Sequence, residues 1–196
     1  MIFALIQYII NVYDCRRIIM MKNKAVKELF DWILSIVIAV VAALCIKAFL
    51  FDIIEVSGDS MVPTLHNNDR LSIERLCRFT HNVDRGQIVI FDSGKQGNGI
   101  YIKRVIALPG DKVEIIDGAV FLNDMKLQES YLSEGTYTSS GTLTGPIIIP
   151  DGYIFVLGDN REVSEDSRYI GCIPYSMVRG RILSRIYPFK NIRKFK

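Results

Sequence analysis

Ser60 lies in Ser57-Gly58-Asp59-Ser60-Met61-Val62-Pro63-Thr64-Leu65, between a glycine turn and a proline-braked segment. A serine hydroxyl becomes a nucleophile only when a base takes its proton, and a short Ser/Gly-rich stretch alone is usually just a turn. The usual base is scarce here. His66 sits in a turn-like His-Asn-Asn-Asp segment and His81 in a polar loop, and neither has an evident carboxylate to orient it. The other base that partners serine is a neutral lysine. Lys103 is the candidate, in Ile100-Tyr101-Ile102-Lys103-Arg104-Val105-Ile106, where strand alternation puts Tyr101, Lys103 and Val105 on one face. A lone lysine in a strand normally faces solvent. One that faces inward is desolvated, and its pKa falls from about 10.4 by up to several units, each unit costing ~1.4 kcal/mol of folding free energy near neutrality.

A third stretch bears on the first two. Gly158-Asp159-Asn160-Arg161-Glu162-Val163-Ser164-Glu165-Asp166-Ser167-Arg168 packs hydroxyls, carboxylates and guanidiniums directly behind the apolar run Tyr153 to Leu157. A surface loop of this composition would be merely solvated; a buried one would be a hydrogen-bonded scaffold. Metal chemistry has little to work with. Cys15, Cys45, Cys77 and Cys172 form no CxxC pair and no His/Cys cluster, so neither a metal nor another cofactor is expected. Cys77 and Cys172 are candidates for a disulfide in an extracytoplasmic domain.

The elements that must position these residues follow from the hydrophobic pattern. Of the 196 residues, 49% are hydrophobic, and the first fifty are strongly enriched in them. Met1 to Tyr13 is too short to span a bilayer, and Met21 with Lys22-Asn23-Lys24 would make a conventional start, leaving residues 1–20 as a mis-assigned extension. Trp32 to Phe51 is broken only by Lys47, which can snorkel from the end of a helix about 20 residues long. A buried core helix or a cleaved signal peptide would also fit this run. No small-x-small site precedes a plausible mature start, and Leu44 before Cys45 spoils a lipoprotein site. The expectation is an uncleaved anchor. Lys22, Lys24 and Lys27 precede it and Asp52, Glu55 and Asp59 follow it, so the positive-inside rule puts the C-terminal part outside the cytoplasm.

Beyond the anchor, short β-type runs alternate with turn signals. Ile53 to Val56, Arg70 to Arg75, Gln87 to Phe91, Ile100 to Ile106, Lys112 to Ile116, Ala119 to Leu122, Tyr153 to Leu157 and Val178 to Tyr187 read as strands. Asp117-Gly118 is a hairpin signal, and Ser130 to Thr144 reads as a mobile loop. No amphipathic helix is expected in this mainly β domain. The net charge is only +3, yet no acidic residue follows Asp166. Arg168, Arg179, Arg181, Arg185, Lys190, Arg193, Lys194 and Lys196, interleaved with Tyr187, Phe189 and Phe195, form either a basic surface resting on anionic lipid or a solvated tail. No recognition motif points to nucleic acid.

Four of these stretches, in this order after one anchor, resemble the boxes of bacterial type I signal peptidases. They are Ser57 to Leu65; Arg85 to Phe91; Tyr101-Ile102-Lys103-Arg104 running into Leu108-Pro109-Gly110-Asp111; and Gly158 to Pro174. The single anchor and short middle segment are similar to the Gram-positive type. The resemblance implies a mainly β, antiparallel-sheet signal-peptidase-like catalytic domain behind one N-terminal transmembrane helix. It divides the chain into a cytoplasmic segment 1–31, an anchor 32–51 and an extracytoplasmic domain 52–196, with a small inserted region at about 111–150. It also implies Ser60 as acylating nucleophile, Lys103 as general base and the Ser60 N–H in the oxyanion hole. Ser164 would orient the lysine, Asp166 and Arg168 would form a bracing ion pair, and Asp159 and Arg161 would be supporting charges. Gly58 stands where some members carry a serine that gives a second oxyanion donor, which leaves that donor unassigned.

The implied substrates are signal peptides of exported pre-proteins with small residues at the first and third positions before the cut. Met61, Tyr101 and Ile102, with Ile54 and Val56, would line shallow pockets for them. The remaining expectations are a single-pass location in the cell membrane, indirect association with the export machinery, and a monomer. The competing readings are a serine–lysine processing protease of narrower task, such as a conjugation maturase, and an anchored β-module that binds export partners without cutting. A self-cleaving repressor lacks its DNA-binding domain here, and the relatives with histidine in place of lysine are excluded by Lys103.

Overall fold

The computed structural model describes residues 24–94 and 99–195, and the expectations placed on residues 1–23, Cys15 among them, lie outside these. The chain divides between Lys47 and Ala48 into two compact units. The first contains most of helix α1, Lys24–Leu50, which has no Gly or Pro to break it. Several of its large apolar side chains, Trp32, Ile36 and Leu44 among them, are more than half exposed. Among the described residues no helix is long and apolar enough to cross a membrane; the side chains of residues 45–51, which complete the apolar run, lie outside them.

The second unit is built on an antiparallel sheet. Its strands are β1 (Phe51–Glu55), β2 (Arg70–Glu74), β3 (Ile88–Asp92), β4 (Ile100–Ala107), β9 (Tyr153–Leu157), β10 (Ile173–Pro174), β11 (Val178–Tyr187) and β12 (Arg193–Lys194). Their order is β1-β2-β11-β3-β4-β9-β10, with β12 on β11. Period-2 alternation sends the two sets of side chains to opposite faces, and both faces are covered. Ile88 and Ile90 pack with Val56, Met61, Leu65, Leu71, Ile73 and Ile182. Val89 and Phe91 pack on the other side with Val105, Ile154, Val156 and Val178. A strand buried on both faces reads as a continuous apolar run, which is what Ile88 to Phe91 is.

A smaller sheet, in the order β7-β6-β5-β8, comprises β5 (Lys112–Ile116), β6 (Ala119–Leu122), β7 (Met125–Lys126) and β8 (Ile147–Ile148). The Asp117-Gly118 hairpin has φ of +48° and +79°, the positive values that a tight two-residue turn needs. Val113 and Val120 of this sheet pack with Ile106, Phe155 and Leu157 of the larger one, so one core joins the two sheets.

Each long strand lies within about two residues of its expected place, because each carries its own alternation or apolar run. The two-residue strands β7, β8, β10 and β12 went unseen, since two residues show no period. Three expectations need correction. Residues 130–144 are tied down rather than loose: Thr138 N donates to Gly118 O, and Thr142 donates from both its N and its Oγ1 to Arg168 O, at 3.0 and 2.6 Å. Cys77 and Cys172 are free and belong to different apolar clusters. Finally, the basic C-terminal stretch is not uniformly solvated. Arg168 pairs with Asp166, Arg181 with Glu74 and Arg185 with Asp69, and the exposed Arg179 pairs with Asp92; among the described residues of this stretch Lys190, Arg193 and Lys194 are exposed as well.

Candidate active site

Ser60 lies in the loop between β1 and β2, and that loop is stiff. Met61 and Leu65 plug it into the core at 1% and 0% exposure. Val56 N donates to Asp69 O, Asn68 N to Val56 O and Leu65 N to Met61 O, each within 2.9 Å. Arg185 braces the far end, donating to Thr64 O and Asp69 Oδ2. Gly58 has a φ of +94°, a conformation that side-chain-bearing residues rarely adopt, and its N–H donates to Asn67 Oδ1 at 3.1 Å. Neither a Gly58 side chain nor an uncommitted Gly58 amide is therefore available as the second oxyanion donor.

Strand β4 carries Lys103 inward. Lys103 is 3% exposed, and its Nζ lies 2.7 Å from Ser60 Oγ. The amine also sits 5.2 Å from the Tyr101 ring centroid. Burial pushes the Lys103 pKa down to about 8, while the Asp166, Glu165 and Asp159 carboxylates oppose the fall. A fair fraction of the amine is then neutral at mildly alkaline pH, the form that can accept a serine proton.

The Gly158–Arg168 stretch is the buried scaffold, not a surface loop. Asp166 and Arg168 are both wholly buried and form a two-pronged pair, with Arg168 Nε and Nη2 donating to Asp166 Oδ1 and Oδ2 at 2.8 and 2.9 Å. Asp166 Oδ2 also accepts Gly158 N, and Oδ1 accepts Arg168 N at the start of the helical turn Ser167–Ile170. Arg168 Nη2 donates to Arg161 O at 2.8 Å. The stretch touches the nucleophile loop directly: Asn160 N donates to Ser60 O at 3.0 Å, and Asn160 Nδ2 to Asp59 O at 3.2 Å. Gly158 permits this approach, for a Cβ there would lie 2.1 Å from Ser164 Oγ and 2.6 Å from Ser60 O.

Asp159 and Arg161 are buried but find partners away from each other, Asp159 on Arg104 and Arg161 on Glu129. Ser164 differs from expectation. Its Oγ is buried beside Gly158 with no hydrogen-bond partner among the described residues, the Lys103 amine being turned to Ser60 instead. The histidines stand apart: His81 stacks on Tyr175 at 5.0 Å, and neither lines the groove beside Ser60. That groove has a volume of about 800 Å³, and Ile54, Val56, Met61, Tyr101 and Ile102 are all among its walls. Sequence reasoning passed over Glu165, which also lines it and accepts a hydrogen bond from Tyr101 Oη at 2.7 Å. Nor does the sequence give a local signal for Arg104, Glu129 or Tyr131. Among the described residues no cluster of His, Cys, Asp and Glu could hold a metal ion.

A serine hydroxyl against a buried amine, at the wall of a groove with both apolar and polar lining, is an arrangement that serine–lysine hydrolases use. The chain is similar to known proteins over most of its length. The family model described as "Signal peptidase, peptidase S26" matches residues 29–187. The chain is 44% identical over 174 residues to signal peptidase I of Bacillus licheniformis, an alignment covering 85% of this chain and 93% of that protein. It is 35% identical over 181 residues to signal peptidase IB of Staphylococcus aureus, covering 85% and 94%. A crystal structure of a signal peptidase I from Enterococcus faecalis V583 matches at 35% identity with a TM-score of 0.44, covering 51% of this chain and 96% of that one. The chain belongs to the peptidase S26 family of signal peptidases, which are serine protease hydrolases.

Proposed function

We propose that this chain is a membrane-anchored endopeptidase that removes N-terminal signal peptides from exported pre-proteins with a Ser60–Lys103 dyad. The observation that carries this reading is the 2.7 Å approach of the buried Lys103 Nζ to Ser60 Oγ. Neutral Lys103 takes the Ser60 proton as Oγ attacks the scissile carbonyl. The Ser60 N–H stabilises the oxyanion, and the new ammonium protonates the leaving amine. Water, activated by the amine once more, then hydrolyses the acyl-enzyme. Ser164 is the hydroxyl that receives and orients the lysine when it swings from Ser60, a role its unpartnered Oγ leaves open to it. Asp166 and Arg168, with Asp159 and Arg161, brace the turn against the nucleophile loop.

Met61, Tyr101 and Ile102, with Ile54 and Val56, form the walls that accept small residues one and three positions before the cut. In this reading residues 32–51 are a single-pass anchor in the cell membrane, with 1–31 inside and the catalytic domain 52–196 outside. The apolar run and the Lys22, Lys24 and Lys27 lead support it. Tethering enzyme and substrate to one bilayer raises their effective concentration. Incubation of the full-length enzyme with a purified pre-protein carrying alanine at both positions is expected to give a single cut. Phenylalanine at either position is expected to block it, and His66→Ala and His81→Ala to leave the cut intact. Equal cleavage of the phenylalanine substrates would contradict the proposed pockets.

A further inference from the structure

The segment between β7 and β8 has no strand or helix of its own, yet it supplies partners, the buried Thr138 and the half-buried Glu129 and Tyr131, to the scaffold behind Ser60. Arg161 is 3% exposed and donates from Nε to Gly158 O at 3.1 Å. The rest of its guanidinium is held from this segment: both terminal nitrogens donate to the Glu129 carboxylate, and Nη1 donates also to Thr138 Oγ1. Tyr131 Oη donates to Glu129 Oε1 at 2.6 Å. The ring of the same tyrosine lies 3.9 Å from the guanidinium carbon of Arg104, a stacking distance. Arg104, next to Lys103 on β4, grips Asp159 with Nε and Nη2 at 2.9 and 2.6 Å and donates to Gly86 O and Thr64 Oγ1.

These contacts close a ring: Gly158–Asp159 to Arg104, Arg104 to Tyr131, Tyr131 to Glu129, Glu129 to Arg161, and Arg161 back to Gly158. The ring encloses the turn whose Asn160 N–H holds Ser60 O. Burial, with the Glu129 carboxylate next, pushes the Tyr131 pKa upward, so its hydroxyl stays a donor. Arg161 has no carboxylate from its own turn, since Asp159 is committed to Arg104 and Asp166 to Arg168.

We propose that Glu129 and Tyr131 are positioning residues for peptide cleavage, acting through Arg161 and Arg104 to hold the Gly158–Arg161 turn that seats Ser60 against Lys103. The proposal rests on the Ser60–Lys103 reading above. A displacement of order 1 Å between nucleophile and base lowers turnover by up to about 10²-fold while leaving groove contacts in place. The loss should therefore appear in kcat and not in KM.

The test compares the full-length enzyme in detergent with Glu129→Gln, Tyr131→Phe and Tyr131→Leu, and with Ser60→Ala as a control. It measures kcat and KM on one pre-protein, with rates scaled to the folded fraction read from near-UV circular dichroism. Glu129→Gln, which keeps the shape but loses the charge, is expected to lower kcat about tenfold or more with KM within about twofold. Tyr131→Leu should behave likewise. Tyr131→Phe, which keeps the ring over Arg104, should recover most of the activity that leucine loses. Wild-type kcat in folded Glu129→Gln and Tyr131→Leu, or a loss that falls on KM, would overturn the proposal. Activity surviving in Ser60→Ala would overturn the dyad reading instead.

Discussion

Lys103→Met is expected to abolish cleavage, by roughly 10⁴-fold or more, and at the same time to make the protein more stable at neutral pH. The loss of activity follows because methionine cannot accept the Ser60 proton. Ser60→Ala should match it, and the double variant should be no worse than either single one, since nucleophile and base act as a unit. The gain in stability follows from the depressed pKa. Unfolded, the amine titrates near 10.5; folded, it titrates at about 8. Between those values the unfolded chain binds more protons, so stability rises with pH across the window. Below pH 8 the wild type carries the full cost of a buried ammonium, roughly 3 kcal/mol. Methionine removes that cost but loses the contact with Ser60, worth about 1 kcal/mol. A net gain of about 2 kcal/mol at pH 7, shrinking to nothing or reversing by pH 10.5, is therefore expected in denaturant unfolding. A Lys103→Met protein less stable than wild type at pH 7 would mean the amine is not held in a desolvated site.

The second large effect is on folding. Arg168 and Asp166 are wholly buried and serve each other, Gly158 N and Arg161 O together. Removing one partner leaves a buried charge uncompensated, so Arg168→Met or Asp166→Leu should each destabilise by about 3–5 kcal/mol. Replacing both at once should cost less than the sum, because no lone charge remains. Arg168→Lys should not rescue, since an ammonium cannot make the paired Nε and Nη2 contacts. Urea midpoints of the three variants and the double variant check this. Additive losses would indicate that the two residues contribute independently.

The long strands were legible because each writes its own period, and β3 showed its two-sided burial as an unbroken Ile-Val-Ile-Phe. Lys103 was legible for a related reason: alternation within β4 placed it with Tyr101 and Val105, residues that pack against one cluster. Long-range pairing was not legible. Nothing local marks Glu129 as the partner of Arg161, because the contact joins residues 32 apart through a segment without periodicity. The same is true of Tyr131 beneath Arg104. The free state of Cys77 and Cys172 was equally hidden, since it depends on which cluster each side chain enters. Asp166 and Arg168 lay only two residues apart, so their pairing was within reach of the sequence. Their complete burial was not, because it comes from Ser139, Thr142 and Arg161 closing over them.

The most direct measurement is the pH dependence of kcat/KM for wild-type cleavage of a pre-protein. A neutral Lys103 as the base predicts a rate that is low below neutrality and rises tenfold per pH unit, levelling off with a midpoint at about pH 8. A profile flat from pH 6 to 9, or one whose rise persists unchanged in the residual activity of Lys103→Met, would contradict the assignment of Lys103 as the base that activates Ser60.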